Sequence, residues 1–281
     1  MKITDVQACV VGRNEPHSGG SVWTFVRIYT DEGITGTGEC NSAGTFTSGF
    51  ATKETVLTLK SLLIGEDPSN IGPLYETMRR RGRYGGGSSA PFTFALTGIE
   101  NALFDIVGKA LGVPVYKLLG GQFRDRIRLY ADCHAGETND PAAYAAKAQE
   151  VVAEGYTAVK FDVDHKAEAK LDRYNWTAGA AEMTHIIDLI AATREGIGYD
   201  IDLAIDCHGQ FDLPSAITLA KAVEDLRLLW LEEPLPAENI DALAQVRAST
   251  STVICTGENH YTRYDFLELL RQQAVDVIMP D

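Results

Sequence analysis

Polar and hydrophobic residues in the first 120 positions alternate with two different periods. A period of two with β-branched and aromatic residues predicts strands, and apolar residues that return every three or four positions predict helices. The predicted elements are strands at residues 22–30 and 34–39, a turn at 31–33 between them, and helices at 53–64 and 91–111. Strands followed by helices are typical of an α+β arrangement. We therefore expect an α+β domain over residues 1–122.

From residue 123 onward, short apolar runs alternate with amphipathic helical stretches. The predicted strands are 127–133, 158–163, 203–206, 228–232, 253–258 and 275–279. Asp140-Pro141 predicts the start of the first helix between them, and Thr262 with Asp265 predicts a capping box at the start of the last. This alternation predicts parallel strands joined by right-handed crossovers. We expect an α/β domain over residues 123–281, either a (β/α)-barrel or a doubly wound sheet.

Composition and charge narrow the class of protein. The chain of 281 residues is 45% hydrophobic and 23% charged, with a formal net charge of −14. Such an acidic chain is a poor partner for nucleic acid or for an anionic membrane surface. The amino terminus has no apolar stretch of signal-peptide length, and no run is long enough to span a membrane. The five cysteines form no C-x-x-C pair. We interpret them as reduced thiols of a cytoplasmic protein.

Three acidic residues follow apolar runs of the second domain. Asp206, Glu232 and Glu258 are separated by 26 residues in each case. Successive βα units of equal length would place these carboxylates side by side at the carboxyl ends of neighbouring strands. Three converging carboxylates repel one another unless a cation lies between them, and oxygen ligands suit Mg²⁺. The alternative for each residue alone is a helix N-cap or a solvated loop position.

An ordered set of motifs resembles the enolase superfamily, in its mandelate racemase and muconate lactonizing branch. The set comprises G-Y-T-A-V-K (155–160), D-C-H-G (206–209), E-E-P (232–234), G-E-N (257–259) and M-P-D (279–281). The resemblance implies a (β/α)-barrel of the TIM type with an N-terminal α+β capping domain. It also implies that Asp206, Glu232 and Glu258 bind Mg²⁺, which holds a substrate carboxylate and stabilises an enediolate. Members are often homo-oligomers, which we expect here too.

The resemblance also suggests roles for residues around the metal. Lys160 matches the first lysine of the usual K-x-K pair, as a cation beside the substrate carboxylate and Glu233, whereas Asp162 replaces the second lysine, which often acts as a base. His208 resembles the general acid of the acid-sugar dehydratase subgroup, and imidazole suits this role near neutral pH. His260 has the same i+2 relation to Glu258 as His208 has to Asp206. We expect Asp162, Glu233 and His260 to contact substrate.

Asp281 ends the M-P-D motif and is also the last residue of the sequence. In the family this aspartate orients a histidine from the seventh strand, and that pair often removes the α-proton. We therefore expect a barrel truncated after its sixth strand, from a fragment or a shortened gene product, that lacks its base. Polar, glycine-rich stretches at 14–21 and 80–89 predict loops of the capping domain, in which His17 and Tyr84 are candidate substrate contacts.

The function implied by the resemblance is Mg²⁺-dependent dehydration of an aldonate-type sugar acid. The departure at Asp162 disfavours reactions that need a lysine base at that position, such as a two-base racemisation. A racemase or epimerase of hydroxy acids is the alternative within enzymes. A non-catalytic protein that keeps the fold is the alternative outside them.

Overall fold

A computed structural model of the chain describes residues 1–17, 20–41, 46–82, 90–136, 138–163 and 177–281. The chain divides into two compact units, Met1–Arg126 and Ile127–Asp281. Each unit has its own sheet: three strands in the first and six in the second. Among the described helices, none combines the length and the hydrophobicity that crossing a membrane requires.

The first unit begins with an antiparallel sheet. Its strands, in the order β1-β2-β3, are β1 (Ile3–His17), β2 (Gly20–Thr30) and β3 (Thr35–Cys40). The predicted strands and the turn between β2 and β3 are confirmed, and Gly33 in that turn adopts a φ of +80°. The loop predicted at 14–21 is wrong in extent, because β1 continues to His17 and β2 begins at Gly20. Backbone pairing between these two strands extends to His17 and Gly20.

Helices pack against this sheet. The described helices of the first unit are α1 (Phe46–Leu59), α2 (Ile71–Arg81), α3 (Ala90–Leu111) and α4 (Val115–Leu118). The helix predicted at 91–111 is confirmed as α3. The helix predicted at 53–64 is confirmed as the second half of α1 and a 3-10 helix at Lys60–Leu62 that continues it, although α1 begins earlier than predicted, at Phe46. The sequence analysis missed α2, in which only Leu74 and Met78 are buried. Its last residues, Arg80 and Arg81, were assigned to the loop at 80–89.

Glycine allows α3 to approach β3 closely. A Cβ atom on Gly38 would lie 2.0 Å from the carbonyl oxygen of Gly98, and one on Gly36 would lie 2.1 Å from that of Ala102. Any side chain at either position would push helix and strand apart. These two glycines therefore define the spacing of the layers in the first unit.

The second unit is a parallel sheet with helices between its strands. The strands are β4 (Ala131–Cys133), β5 (Ala158–Asp162), β6 (Asp202–Asp206), β7 (Trp230–Glu232), β8 (Ile254–Thr256) and β9 (Val277–Ile278). The helices are α5 (Pro141–Ala153), α6 (Ala180–Ile197), α7 (Leu213–Ala222), α8 (Ile240–Ser249) and α9 (Thr262–Arg271). Strand order follows the sequence and all neighbours are parallel. This confirms the predicted strand–helix alternation as a partial (β/α)-barrel.

Several strands are shorter than the apolar runs that predicted them. Strand β4 begins at Ala131, because Ile127 and Leu129 upstream are 69% and 68% exposed and extend no ladder. Apolar sequence alone does not distinguish a strand from an extended segment beside it. The shortening matters most at β8, which ends at Thr256, two residues before Glu258.

Two helix starts test the predicted caps. The Asp140 side chain accepts a hydrogen bond from the Ala142 backbone N–H at 3.0 Å, which confirms the predicted N-cap of α5. The capping box at Thr262 is wrong by one residue. The N-cap of α9 is Tyr261, and the Asp265 carboxylate accepts from the Tyr261 N–H at 2.8 Å.

Candidate active site

Acidic residues end three neighbouring strands of the parallel sheet. Asp162 on β5 pairs with Asp206 on β6, which pairs in turn with Glu232 on β7. Because parallel strands end at the same edge of a sheet, the register places the three residues in one row. The expected adjacency of Asp206 and Glu232 is therefore present, with Asp162 on the far side of Asp206.

Glu258 reaches this region from a different position than its spacing predicts. The residue of β8 that pairs with Glu232 is Cys255, three residues before Glu258. The expectation that Glu258 ends its strand is therefore wrong, because it lies in the loop beyond Thr256. Glu258 is nevertheless close enough to the other carboxylates to feel their charges. Burial and the charges of Glu233 and Asp206 raise its pKa to about 7.

Lys160 is buried beneath these carboxylates on β5. Its Nζ donates to Asp206 Oδ2 at 2.8 Å and lies 3.4 Å from Glu232 Oε2. Burial lowers the pKa of Lys160, but the charges of Asp206 and Glu232 outweigh burial and leave the pKa above its ordinary value. The ammonium is therefore charged at neutral pH. Its contacts are Asp206 and Glu232, whereas the sequence analysis expected it beside Glu233.

The two carboxylates that share Lys160 respond to it differently. Burial opposes ionisation of Asp206, but the charges of Lys160 and His208 hold its pKa below the ordinary value. Burial and the negative charge of Asp206 raise the pKa of Glu232 to about 7. The Lys160 ammonium therefore stabilises the charge of Asp206. The charges of Glu232 and Glu258 are not compensated to the same extent.

Left-handed turns follow β6 and β7. His208 has a φ of +43° and Glu233 a φ of +39°, which side-chain-bearing residues seldom adopt. The Gly209 N–H donates to the Glu233 carbonyl at 2.7 Å, so the two turns stabilise each other. The His208 N–H donates to Asp206 Oδ1 at 3.0 Å, and its Nε2 lies 3.7 Å from Asp206 Oδ2. This turn, and not strand alternation, brings the imidazole to Asp206.

A cavity of about 580 Å³ opens beside these turns. Its lining includes His208, Glu233, Asn259, His260 and Tyr261. Glu233 is fixed by Thr256 Oγ1 at 3.2 Å and by Asn259 Nδ2 at 2.8 Å. His260 is buried, its Nε2 has no hydrogen-bond partner among the described residues, and burial lowers its pKa.

His134 lies beside the acidic row, and the sequence analysis did not consider it. Its Nδ1 lies 3.7 Å from Asp162 Oδ2, just beyond the end of β4. Asp162 also forms, with Asp206 and His208, the group of possible metal ligands in the described chain whose ligand atoms lie within 4.8 Å of one another. A sequence signal for His134 exists: the tripeptide Asp-Cys-His occurs at 132–134 and again at 206–208.

The remaining predicted site residues are His17, Tyr84 and Asp281. His17 pairs with Gly20 at the end of β1, but its side chain is outside the described part of the chain, and Tyr84 lies in the undescribed range 83–89. Asp281 is exposed. Burial raises the pKa of Tyr261, and the charge of Asp281 raises it further.

The three carboxylates of Asp206, Glu232 and Glu258 are suitable ligands for a hard divalent cation. Asp206 and Glu232 are 1% and 2% exposed and Glu258 is half-buried, so water compensates their charge poorly. The raised pKa values of Glu232 and Glu258 have the same cause. Oxygen ligands of this kind favour Mg²⁺ over softer metals.

The raised pKa values of Glu232 and Glu258 predict that the stability of the folded chain depends on pH. Between the ordinary value of 4.5 and about 7, folded Glu232 and Glu258 hold protons that the unfolded chain has released. These two groups make stability fall as pH rises through this window. His260, whose pKa burial lowers, acts in the opposite direction below its ordinary value of 6.5, but it is one group against two with large shifts. The lowered pKa of Asp206 acts below this window. We expect the thermal midpoint in EDTA to fall from about pH 5 to about pH 7, and added Mg²⁺ to restore it most at the upper end.

Thermal unfolding followed by circular dichroism checks this expectation. Glu232→Gln is the matched variant, because it removes one of the two titrating groups and should flatten the EDTA curve. A wild-type midpoint that rises over the same range, or a variant curve identical to it, would contradict the assignment.

Comparison with known protein families gives two matches along the chain. Residues 17–120 match the N-terminal domain of mandelate racemase/muconate lactonizing enzyme, and residues 143–281 match an enolase C-terminal domain-like model. A crystal structure of a mandelate racemase/muconate lactonizing enzyme-like protein from Rubrobacter xylanophilus superposes with a TM-score of 0.91 at 41% identity. That alignment covers 100% of this chain and 72% of the other.

Curated relatives include sugar-acid dehydratases. A D-xylonate dehydratase from Haloferax volcanii is 40% identical over 281 residues, which is 100% of this chain and 65% of the relative. A D-galactonate dehydratase from Xanthomonas campestris is 36% identical over 259 residues, covering 92% of this chain and 64% of the relative. The chain thus spans slightly less than two thirds of the length of these relatives.

Proposed function

Because the chain belongs to the mandelate racemase/muconate lactonizing enzyme family of the enolase superfamily, we propose that it serves the Mg²⁺-dependent dehydration of an aldonate-type sugar acid. The observation that carries the proposal is the row of strand-end carboxylates with Lys160 buried beneath it. The names of the D-xylonate and D-galactonate dehydratase relatives support the substrate class.

In this proposal Asp206, Glu232 and Glu258 hold the metal ion. When bound, Mg²⁺ supplies positive charge that stabilises the negative charge developing on the substrate carboxylate as the α-proton leaves. Lys160 keeps Asp206 ionised and adds a second positive charge to the site. Glu233, fixed by Thr256 and Asn259, forms part of the polar wall of the cavity.

The elimination needs an acid on the leaving hydroxyl. His208 is proposed for this role, because the left-handed turn at this residue holds the imidazole beside Asp206 at the cavity wall. The α C–H bond and the β C–O bond break, His208 gives its proton to the departing hydroxyl, and water leaves. Tautomerisation of the resulting enol gives a 2-keto-3-deoxy acid. The base is proposed to be a histidine oriented by Asp281, as in the family.

Other proposed contacts concern recognition of the substrate. His260 has an unsatisfied buried nitrogen near the cavity wall and Asp162 lies between His134 and His208, so both suit hydroxyl groups. His17 and Tyr84 remain proposed contacts from the capping unit. We further propose a cytoplasmic location and a homo-oligomer, with neither nucleic acid nor membrane as partner.

Incubation in deuterated water tests the function. We expect a protein that contains this chain together with the proposed histidine base and Mg²⁺ to convert D-xylonate or D-galactonate to the 2-keto-3-deoxy acid, with deuterium at C3 from the tautomerisation, and to do neither in EDTA. Proton and deuterium NMR follow both events. Exchange at the α-carbon without loss of water would favour the alternative of a racemase or epimerase. Absence of both reactions in that protein across a panel of sugar acids would contradict catalysis at this site.

A further inference from the structure

We propose that Trp230 is a positioning residue that orients the Glu232 carboxylate for the divalent cation. This inference rests on the proposed function, because it assumes that Glu232 is a metal ligand. It adds a neutral hydrogen-bond donor that selects which carboxylate oxygen of Glu232 is presented to the cation.

Trp230 and Glu232 lie two residues apart on β7, so their side chains lie on the same face of the strand. The indole Nε1–H donates to Glu232 Oε2 at 2.9 Å. Trp230 is the earlier of the two residues, so it lies one layer deeper in the sheet than the strand end that carries the acidic row.

The indole is itself held in place by its neighbours. The Tyr130 ring meets it edge to face, with ring centroids 5.5 Å apart and planes at 81°. Tyr130 is anchored in turn by its hydroxyl, 3.7 Å from Met279 Sδ, and its ring lies 5.9 Å from Lys160 Nζ. Such edge-to-face contacts restrict both rings. The N–H direction is therefore fixed before any cation binds.

The hydrogen bonds described at the acidic row show why this donor matters. On Asp206 both oxygens accept a strong bond, Oδ1 from the His208 N–H at 3.0 Å and Oδ2 from Lys160 at 2.8 Å. On Glu232, Oε2 accepts from Trp230, whereas the bond described at Oε1 is the long one from Lys160 at 3.5 Å. Oε1 is thus the oxygen with the most remaining capacity for a cation.

Orientation needs a dedicated donor because the terminal torsion of glutamate is soft and roughly two-fold. Lys160 cannot set it, because its Nζ is 3.5 Å and 3.4 Å from the two oxygens of Glu232 and scarcely distinguishes them. A lysine donor would also cancel part of the negative charge that attracts the cation. The indole N–H is neutral, so it fixes the carboxylate without neutralising it.

Calorimetric titration with Mg²⁺ tests the positioning role. Trp230→Phe keeps an aromatic ring against Tyr130 and removes the N–H. Loss of a donor that orients a metal ligand typically weakens metal affinity about 10-fold to 100-fold, which is the increase in Kd expected here. Trp23→Phe on β2 is the matched control, with a Kd within about twofold of the wild-type value. Equal Kd values for wild type and Trp230→Phe would overturn the inference.

A metal-free measurement keeps the test independent of folding defects in that variant. In a ¹H–¹⁵N spectrum of the wild-type chain, the Trp230 indole signal is identified by its loss in Trp230→Phe. We expect Glu232→Gln to shift this signal upfield, because an amide oxygen is a weaker acceptor than a carboxylate. An unmoved signal would overturn the inference. A wild-type chain that binds no Mg²⁺ would instead overturn the metal assignment, and this role of Trp230 with it.

Discussion

In a protein that includes the proposed histidine base, Glu232→Gln should lose Mg²⁺ binding and turnover together. The substitution keeps the shape of the side chain and removes one of three charges proposed to hold the metal. Metal ions contribute several kcal/mol of transition-state stabilisation, which corresponds to a loss in turnover of about 10³-fold or more. Calorimetry measures the binding, and formation of the 2-keto-3-deoxy acid measures the turnover.

Stability separates this effect from simple unfolding. Because the pKa of Glu232 is raised to about 7, its ionised form is disfavoured in the folded chain, and the amide should be at least as stable without metal above that pH. Glu154→Gln, at the exposed end of α5, is a matched control that should bind Mg²⁺ within about twofold of wild type. Undiminished Mg²⁺ affinity in Glu232→Gln would remove this residue from the metal site.

His208→Asn should separate metal binding from elimination. Loss of a general acid typically costs about 10²-fold to 10⁴-fold in rate, so dehydration should fall by this factor. Mg²⁺ affinity should stay close to the wild-type value, because the backbone N–H at 208 still donates to Asp206 Oδ1. Asparagine is the suitable replacement, because it tolerates the φ of +43° at this position better than alanine does.

The kinetic signature of His208→Asn is informative on its own. In a protein that includes the proposed histidine base, exchange of the α-proton with deuterated solvent should persist while water loss falls, because His208 is proposed as the acid and not the base. His185→Asn on α6 is the control for a change of imidazole to amide elsewhere in the same unit. A dehydration rate equal to that of wild type would reassign the acid, and loss of exchange together with dehydration would point to His208 as the base.

Much of the second unit could be predicted because its pattern is local. The apolar run that became β6 and the Asp140-Pro141 signal before α5 each depend on a few neighbouring residues. The position of Asp206 at the end of its strand follows from the same kind of pattern. The helix α2 was missed for the converse reason, because only two of its side chains are buried.

The site could be predicted only in outline, because its geometry depends on register and on turns. Equal spacing suggested that Glu258 pairs with Glu232, but the pairing partner is Cys255. The residues between two strands are divided among a helix and two loops, and spacing does not say how. The contact of Lys160 with Glu232 likewise requires knowledge of how β5 and β7 are placed in the sheet. The contact of Trp230 with Glu232 is made within β7 and depends on the side-chain torsions, which the spacing does not give.

The alternation of strands and helices, the acidic ends of β6 and β7 and the resemblance to a family can all be derived from the amino-acid sequence, because period, caps and motifs are properties of adjacent residues. The three-dimensional fold was needed to show that Trp230 and Lys160 share one carboxylate, that left-handed turns carry His208 and Glu233, and that His134 approaches Asp162. These features join residues far apart in the chain or place the backbone in conformations that local preference opposes. Packing of the parallel sheet supplies the free energy that holds them there.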